Sequence, residues 1–376
     1  MKVYLDNAAT TKVDKEVVEA MIPYFSEKFG NASSLHKKGE EARKAVEDAR
    51  GKIAKFLGAN PEEIIFTSGG TESDNLAIKG LIHENKSKRH IITSKIEHPA
   101  ILETCRFLEK KGYEVDYVSV NKEGVVNIEE IKKKIKKDTL LVSIMHVNNE
   151  LGTIQPIEEI AELCRKQKVY FHTDAVQSFG KLKINLENID LLSVSGHKIN
   201  GPKGIGMLFV KKGVKISCII HGGKHERGLR AGTENVPGIV GLGKAVELLD
   251  KKMKSAEKVR KLKNKLTEEI LKIEGAGLNG GHEKRIFSNV NVSFKGVEGE
   301  SLVLLLSKEG VEASTGSACS THSLKPSHVL TALGLKEEEA HGSLRLTLGF
   351  DTTEEEIDYT IKKIKESVHK LRRIAG

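Results

Sequence analysis

The chain has 376 residues, 38% of them hydrophobic and 30% charged, with a formal net charge of +9. That length suffices for one large or two moderate domains whose core needs no disulfide staples, and the composition is that of a soluble globular protein, not a disordered or fibrous one. The longest apolar run, 302–306, is far too short to span a bilayer.

The first residues, Met1-Lys2-Val3-Tyr4-Leu5-Asp6, hold no apolar signal core, so a cytoplasmic protein without a membrane anchor is expected. Residues 38–57 place Ala42, Ala45, Val46, Ala49, Ile53, Phe56 and Leu57 on one helical stripe. Ile64-Ile65-Phe66-Thr67 reads as a short buried strand. The turn Ser68-Gly69-Gly70-Thr71-Glu72 follows, then a helix through Ile78 and Leu81. Ile91-Ile92-Thr93-Ser94 is the next strand, and Pro99 suits the first turn of the next helix. Further strands are expected near 113–119, 140–145, 169–173, 190–195 and 205–210, with helices near 127–137 and 157–167. The lysine run 132–137 holds one isoleucine and no aromatics, which reads as a solvated helix face, so no direct nucleic-acid binding is expected.

Alternating strands and helices imply an α/β fold: a mainly parallel sheet covered on both faces. Ligands of such sheets gather at the carboxyl ends of the strands. Thr71, His98, Asn149, Asp174 and Lys198 all lie just after expected strands. Near residue 245 the character changes. One long lysine-rich amphipathic helix is expected to run to about 273, with Val259, Leu262, Leu266, Ile270 and Ile273 on one face. Shorter strands follow. The expected division is a large domain over 13–249 and a smaller α+β domain made of 1–12 with 250–376.

Four cysteines in so long a chain do not make a disulfide framework. Cys105 and Cys164 lie on helical apolar faces, and Cys218 alternates with Ile216 and Ile220 as in a strand; these read as core thiols. Cys319 differs. It sits in Ser314-Thr315-Gly316-Ser317-Ala318-Cys319-Ser320-Thr321, among small hydroxyl residues that cannot form a core face.

Other runs carry chemistry. Gly69-Gly70-Thr71-Glu72 between strand and helix either cradles an anion at the helix N-terminus or is an ordinary tight turn. Asp174, ending an apolar strand, is either a helix cap or the partner of a cationic ring nitrogen. Ser195-Gly196-His197-Lys198 matches the Ser-x-x-Lys pattern of acyl hydrolases, but the companion Ser-Asp-Asn and Lys-Thr-Gly motifs are missing. Gly196, Gly201 and Gly204 around it indicate a tightly built turn. Gly275-Ala276-Gly277-Leu278-Asn279-Gly280 has the letters of a dinucleotide fingerprint in the wrong context and reads as a surface loop. His221 and His225 are separated by Gly222-Gly223, and no metal site is expected. Arg345, between Leu344 and Leu346, is either a surface ion-pair residue or a clamp for a carboxylate.

Taken together, these runs resemble the cysteine desulfurases that use pyridoxal phosphate, in the class-V aminotransferase family, a group associated with iron–sulfur cluster and nitrogenase maturation. The matching stretches are 4–11, 30–36, 67–75, 97–100, 145–152, 172–180, 195–206, 226–240, 314–320 and 343–349. The resemblance implies a fold-type I pyridoxal 5'-phosphate enzyme that is a homodimer. Lys198 would bind the cofactor aldehyde covalently, and Asp174 would pair with the pyridine nitrogen. His98 would stack on the ring and assist proton transfer, and Gln177 would hydrogen-bond the ring oxygen. Thr71, Ser195 and His197 would hold the phosphate beside Gly70, with Thr233 reaching it from the other subunit. Asn149 and Arg345 would bind the carboxylate of the substrate L-cysteine, and Cys319 would attack the substrate sulfur. The sulfur would pass to an acceptor protein, an iron–sulfur scaffold or a tRNA-thiolation enzyme. Selenocysteine lyase or aminotransferase chemistry on the same scaffold is the alternative. Two departures stand out. Ala32 replaces a usual proline, and the tail after Arg345 is shorter than in members that dock a cluster scaffold.

Overall fold

The computed structural model describes residues 1–316 and 326–375, the last of them by backbone alone. Its largest sheet has seven strands, in the order Ile64–Thr67, Gly206–Val210, Leu191–Ser195, Tyr170–Asp174, Thr139–Ser143, His90–Ser94 and Glu114–Val118. Gly206–Val210 runs antiparallel to both its neighbours, and every other pairing is parallel. The mainly parallel α/β expectation therefore holds, with strand ends displaced by one residue or two.

Successive side chains of a strand point to opposite faces, and the two cores divide the residues on that period. Ile64, Phe66, Ile92, Val142, Leu192 and Phe209 pack with Lys37–Leu57, Ile157–Gln167 and Val236–Glu247 on one face. Ile65, Ile91, Leu141, Leu191 and Leu208 pack with Gly70–Glu84 and Pro99–Glu109 on the other. Because both faces are covered, five of the strands are buried along their whole length, which is why they read as continuous apolar runs.

A second, antiparallel sheet consists of Ser343–Thr347, Asn289–Phe294 and Ala276–Leu278. Its core takes in Val259, Leu262, Leu266 and Ile270 of Ala256–Leu271, Leu302 and Leu306 of Gly299–Lys308, and Ile357 and Ile364 of the last helix, Glu354–Ala375. Val3 and Leu5 belong to the same core. Val3–Tyr4 pairs with Val311–Glu312, and Asp6 bridges to Thr347. The chain's first residues are thereby built into structure formed by its last hundred.

Three expectations need correction. The single long helix expected from near 245 to about 273 is instead the end of Val236–Glu247 followed by two separate helices, Leu249–Met253 and Ala256–Leu271. The reason is a change of partner: Leu248 and Leu249 dock into the core of the large sheet, whereas Val259 and Leu262 dock into the second core. Cys218 lies in no strand and is only half-buried, while Cys105 and Cys164 are buried on helices as expected. Within 275–280, Ala276–Leu278 is the edge strand of the second sheet and not a surface loop.

Candidate active site

A cleft of about 720 Å³ opens where Tyr170–Asp174 and Leu191–Ser195 end and Gly70–Glu84 begins. Gly70, Thr71, His98, Asn149, Asp174, Gln177, Ser195, His197, Lys198 and Arg345 line it. Ten residues singled out in the sequence thus meet in one place. Thr233 is exposed and does not line the cleft of the single chain. Cys319 lies outside the described residues.

Lys198 ends a short 3-10 turn, Gly196–Lys198, that leaves the strand Leu191–Ser195. Gly196 N–H donates to the Ile205 carbonyl at 3.0 Å, and Gly201 N–H to the Gly196 carbonyl at 3.0 Å. A Cβ on Gly201 would meet that carbonyl oxygen at 2.8 Å, so the close approach requires glycine there. The Lys198 ammonium, held by this turn, donates to the carbonyls of Ala8 and Ala9 at 2.5 and 2.7 Å. Gln177 Nε2 donates to the same Ala8 carbonyl at 2.9 Å.

Asp174 is the last residue of its strand. Its Oδ1 accepts from Val176 N–H at 2.9 Å, and a turn follows, so the helix-cap reading fails. Burial pushes this carboxyl up to about 6, against the Val176 N–H and the Lys198 charge, which favour the carboxylate. His98 caps Pro99–Glu109, its Nδ1 accepting from Ala100 N–H at 3.1 Å. Burial, then Lys198 and His328, hold it down at about 4, so its imidazole is neutral near pH 7. His197 is likewise held down at about 4 by burial and by Lys198 and Lys203, with Nδ1 3.1 Å from Thr10 Oγ1.

Arg345 is buried in the middle of Ser343–Thr347, which excludes the surface ion-pair reading. Nη2 donates to Asp6 Oδ1 at 2.9 Å, and Nη1 to the carbonyls of Asn149 and Gly316 at 3.2 and 3.3 Å. Its Nε is buried without a hydrogen-bond partner.

The arrangement suits pyridoxal phosphate. Orphan N–H groups at the start of the helix from Gly70, with Ser195 and His197, form an anion cradle. A Cβ on Gly70 would strike Val176 Cγ2 at 2.8 Å, so only glycine lets helix and turn close around it. Asp174 offers a buried carboxyl suited to a ring N–H, and Lys198 an amine for the aldehyde.

Several residues of the cleft escaped the sequence reading: Asp74, Glu150, Ser327 and His328 line it. Glu97, directly behind His98, is fully buried, accepting from Ser94 Oγ at 2.5 Å and from Met145 N–H. Burial pushes it up to about 8. Asp74 could have been suspected, since it falls three residues after Thr71 and so on the same helix face. The others depend on folding. His221 is exposed and His225 half-buried. Among the described residues, His90, Glu114 and Asp116 form a group able to hold an ion, but Lys134 and Lys136 pair with its two carboxylates. Among the described residues, no helix is long and apolar enough to cross a membrane.

Comparison with known proteins places this geometry. The family model "Aminotransferase class-V" matches residues 3–360. A protein of Dictyoglomus turgidum named cysteine desulfurase IscS is 53% identical over 379 residues, spanning 100% of this chain and 96% of the relative. Its namesake in Methanosarcina thermophila is 54% identical over 377 residues, covering 99% and 93%. A solved structure described as a NifS-like protein superposes with a TM-score of 0.92 at 45% identity, covering 97% of this chain and 99% of the other. Another, described as SspA in complex with cysteine, has a TM-score of 0.83 at 42% identity, covering 92% and 99%.

Proposed function

The chain belongs to the class-V aminotransferase family, and from that premise we infer that it is a pyridoxal-phosphate-dependent cysteine desulfurase. It converts L-cysteine to L-alanine and moves the sulfur on for sulfur supply. The selenocysteine lyase and aminotransferase alternatives are not favoured, since the curated relatives are named for the desulfurase reaction.

Bound pyridoxal phosphate supplies an electron sink for the substrate α-carbon. The chain's residues do the rest. In this reading Asp174 faces the ring nitrogen, with Val176 N–H holding its carboxylate in place. His98 flanks the ring as a neutral imidazole, and Gln177 meets the ring oxygen. Gly70, Thr71, Ser195 and His197 hold the phosphate. Lys198 would hold the aldehyde, and its amine would serve as the base for the α-proton. Arg345 and Asn149 hold the substrate carboxylate.

Cys319 attacks the substrate sulfur as a thiolate. The substrate C–S bond breaks, a S–S bond forms, and the proton lost by the thiol is matched by one gained at the former Cβ. Alanine and a persulfide result, so atoms and electrons balance.

One observation carries the assignment of Cys319: the Gly316 carbonyl accepts from Arg345 in the wall of the cleft. Cys319 is three residues further on in the sequence. An acceptor protein thiol, on a cluster scaffold or a tRNA-thiolation enzyme, then takes the outer sulfur.

The same reading makes the enzyme a cytoplasmic homodimer. Ile22, Phe25, Phe29 and Leu35 are 54, 64, 63 and 97% exposed, which supports a covered face. Thr233 of the partner subunit would complete the phosphate site. Residues 13–249 form the cofactor domain, and 1–12 with 250–376 the domain that carries the cysteine segment. The deciding assay incubates cofactor-loaded enzyme with L-cysteine and a dithiol. Alanine and sulfide in equal amounts are expected, and a 2-oxo acid in their place sinks the reading.

A further inference from the structure

Asp74 has no part in the chemistry above, yet it lines the same cleft as Asp174. It lies in the second turn of Gly70–Glu84, is 1% exposed, and its Oδ1 is buried without a hydrogen-bond partner. Behind it stands His172, whose Nε2 is 3.7 Å from that oxygen, too far to bond. The imidazole is occupied elsewhere: Nδ1 is 2.8 Å from Ser143 Oγ and Nε2 3.0 Å from Ser193 Oγ. Two hydroxyls can serve one ring donor and one ring acceptor, which is the pattern of a neutral histidine.

Among the described residues, no other cation lies within salt-bridge distance of Asp74. Its own helix contributes no counter-charge, the neighbouring strands contribute Asp174, neutral His172 and the Ser193 hydroxyl, and the loop before His98 contributes Glu97. Asp174 is better placed to be ionised, because it has the Val176 N–H and the nearby Lys198 charge. Two buried carboxylates side by side with one ammonium to share would leave one charge uncompensated, which a low-dielectric site does not tolerate.

We propose that Asp74 is a positioning residue held as the neutral carboxylic acid behind Asp174, so that Asp174 alone carries the negative charge that meets the cofactor ring nitrogen. The proposal rests on the reading of Asp174 given above. Burial and the Asp174 charge both push the Asp74 carboxyl well above the usual carboxylate range, in keeping with it.

The test is infrared spectroscopy of the holoenzyme near pH 7, wild type against Asp74→Asn. Loss of one protonated-carboxyl C=O band is expected in the variant; a spectrum that loses no such band overturns the proposal. Should the variant not fold, wild-type enzyme labelled with 13C at the aspartate carboxyl carbons answers the same question. One carbon should keep the chemical shift of the acid form at neutral pH, and a spectrum in which every carbon is ionised refutes the idea. Asp174→Asn separates the two readings. It should move the bound cofactor's visible absorbance, and an unmoved band there breaks the Asp174 assignment while leaving the protonation state of Asp74 to be read independently.

Discussion

Arg345 Nη2 lies 2.9 Å from Asp6 Oδ1, tying a strand near the end of the chain to the sixth residue from its start. The pair is buried on the arginine side and orients the guanidinium fork toward the cleft, with Nη1 shared by the Asn149 and Gly316 carbonyls. Arg345→Lys keeps the charge and loses the fork. Steady-state alanine formation should show kcat/KM for L-cysteine falling by about 30- to 100-fold, chiefly through KM, which corresponds to ~2–3 kcal/mol. An unchanged KM removes Arg345 from substrate binding.

Lys198 should be the residue that borohydride fixes to the cofactor. Reduction of the loaded wild type, followed by peptide mass analysis, is expected to place the pyridoxyl group on the peptide containing 198. Lys198→Ala should yield no adduct and lose at least about 100-fold in turnover. An adduct on any other lysine refutes the assignment.

Cys319→Ala should retain the cofactor's visible absorbance and release neither alanine nor sulfide above background. Gly316→Ala offers a subtler probe. An added Cβ would meet Glu150 Oε2 at 2.4 Å, and that carboxyl is itself held by Ser327 Oγ at 2.5 Å. Either the Glu150 carboxyl leaves Ser327 or the anchor of the cysteine segment shifts, and a misplacement of about 1 Å costs on the order of 100-fold in rate. Sulfide release should fall with cofactor binding intact; full activity in Gly316→Ala would show that the anchor does not set the geometry.

Glu97 gives a pH signature. Its folded-state value lies near 8 against an ordinary 4.5. The folded protein therefore holds a proton that the unfolded chain has released, and stability falls as pH rises from about 4.5 through 8. Glu97→Gln removes this dependence. The thermal midpoint of the variant relative to wild type should climb steadily between about pH 5 and 9. Parallel pH curves for the two proteins contradict a buried neutral acid. The buried histidines act in the opposite sense. His98 and His146 are held down at about 4, so their contribution is complete above about 6.5 and lost as pH falls toward 4.

Much of the fold was legible because burial on both sheet faces writes strands as unbroken apolar runs, such as Ile64-Ile65-Phe66 and Leu140-Leu141-Val142. The helix beginning at Pro99 announced itself by proline in the first turn. The break between Glu247 and Ala256 was not legible, since the lysine-rich stripe continues in sequence while its apolar partner changes from one core to the other. Cys218 misled because alternation with Ile216 and Ile220 needs a neighbouring strand to become a strand, and among the described residues none pairs with it.

Residue order alone determined which side chains could do chemistry: an amine in a glycine-built turn, a carboxyl at a strand end, an arginine between leucines. Folding decided their state. Whether Asp174 caps a helix or faces a cleft, whether Arg345 meets water or Asp6, and whether Glu97 and Asp74 hold protons all turn on contacts between segments far apart in the chain. Charge and hydrogen bonding respond to what surrounds a group in space, and a linear string of residues does not contain that information locally.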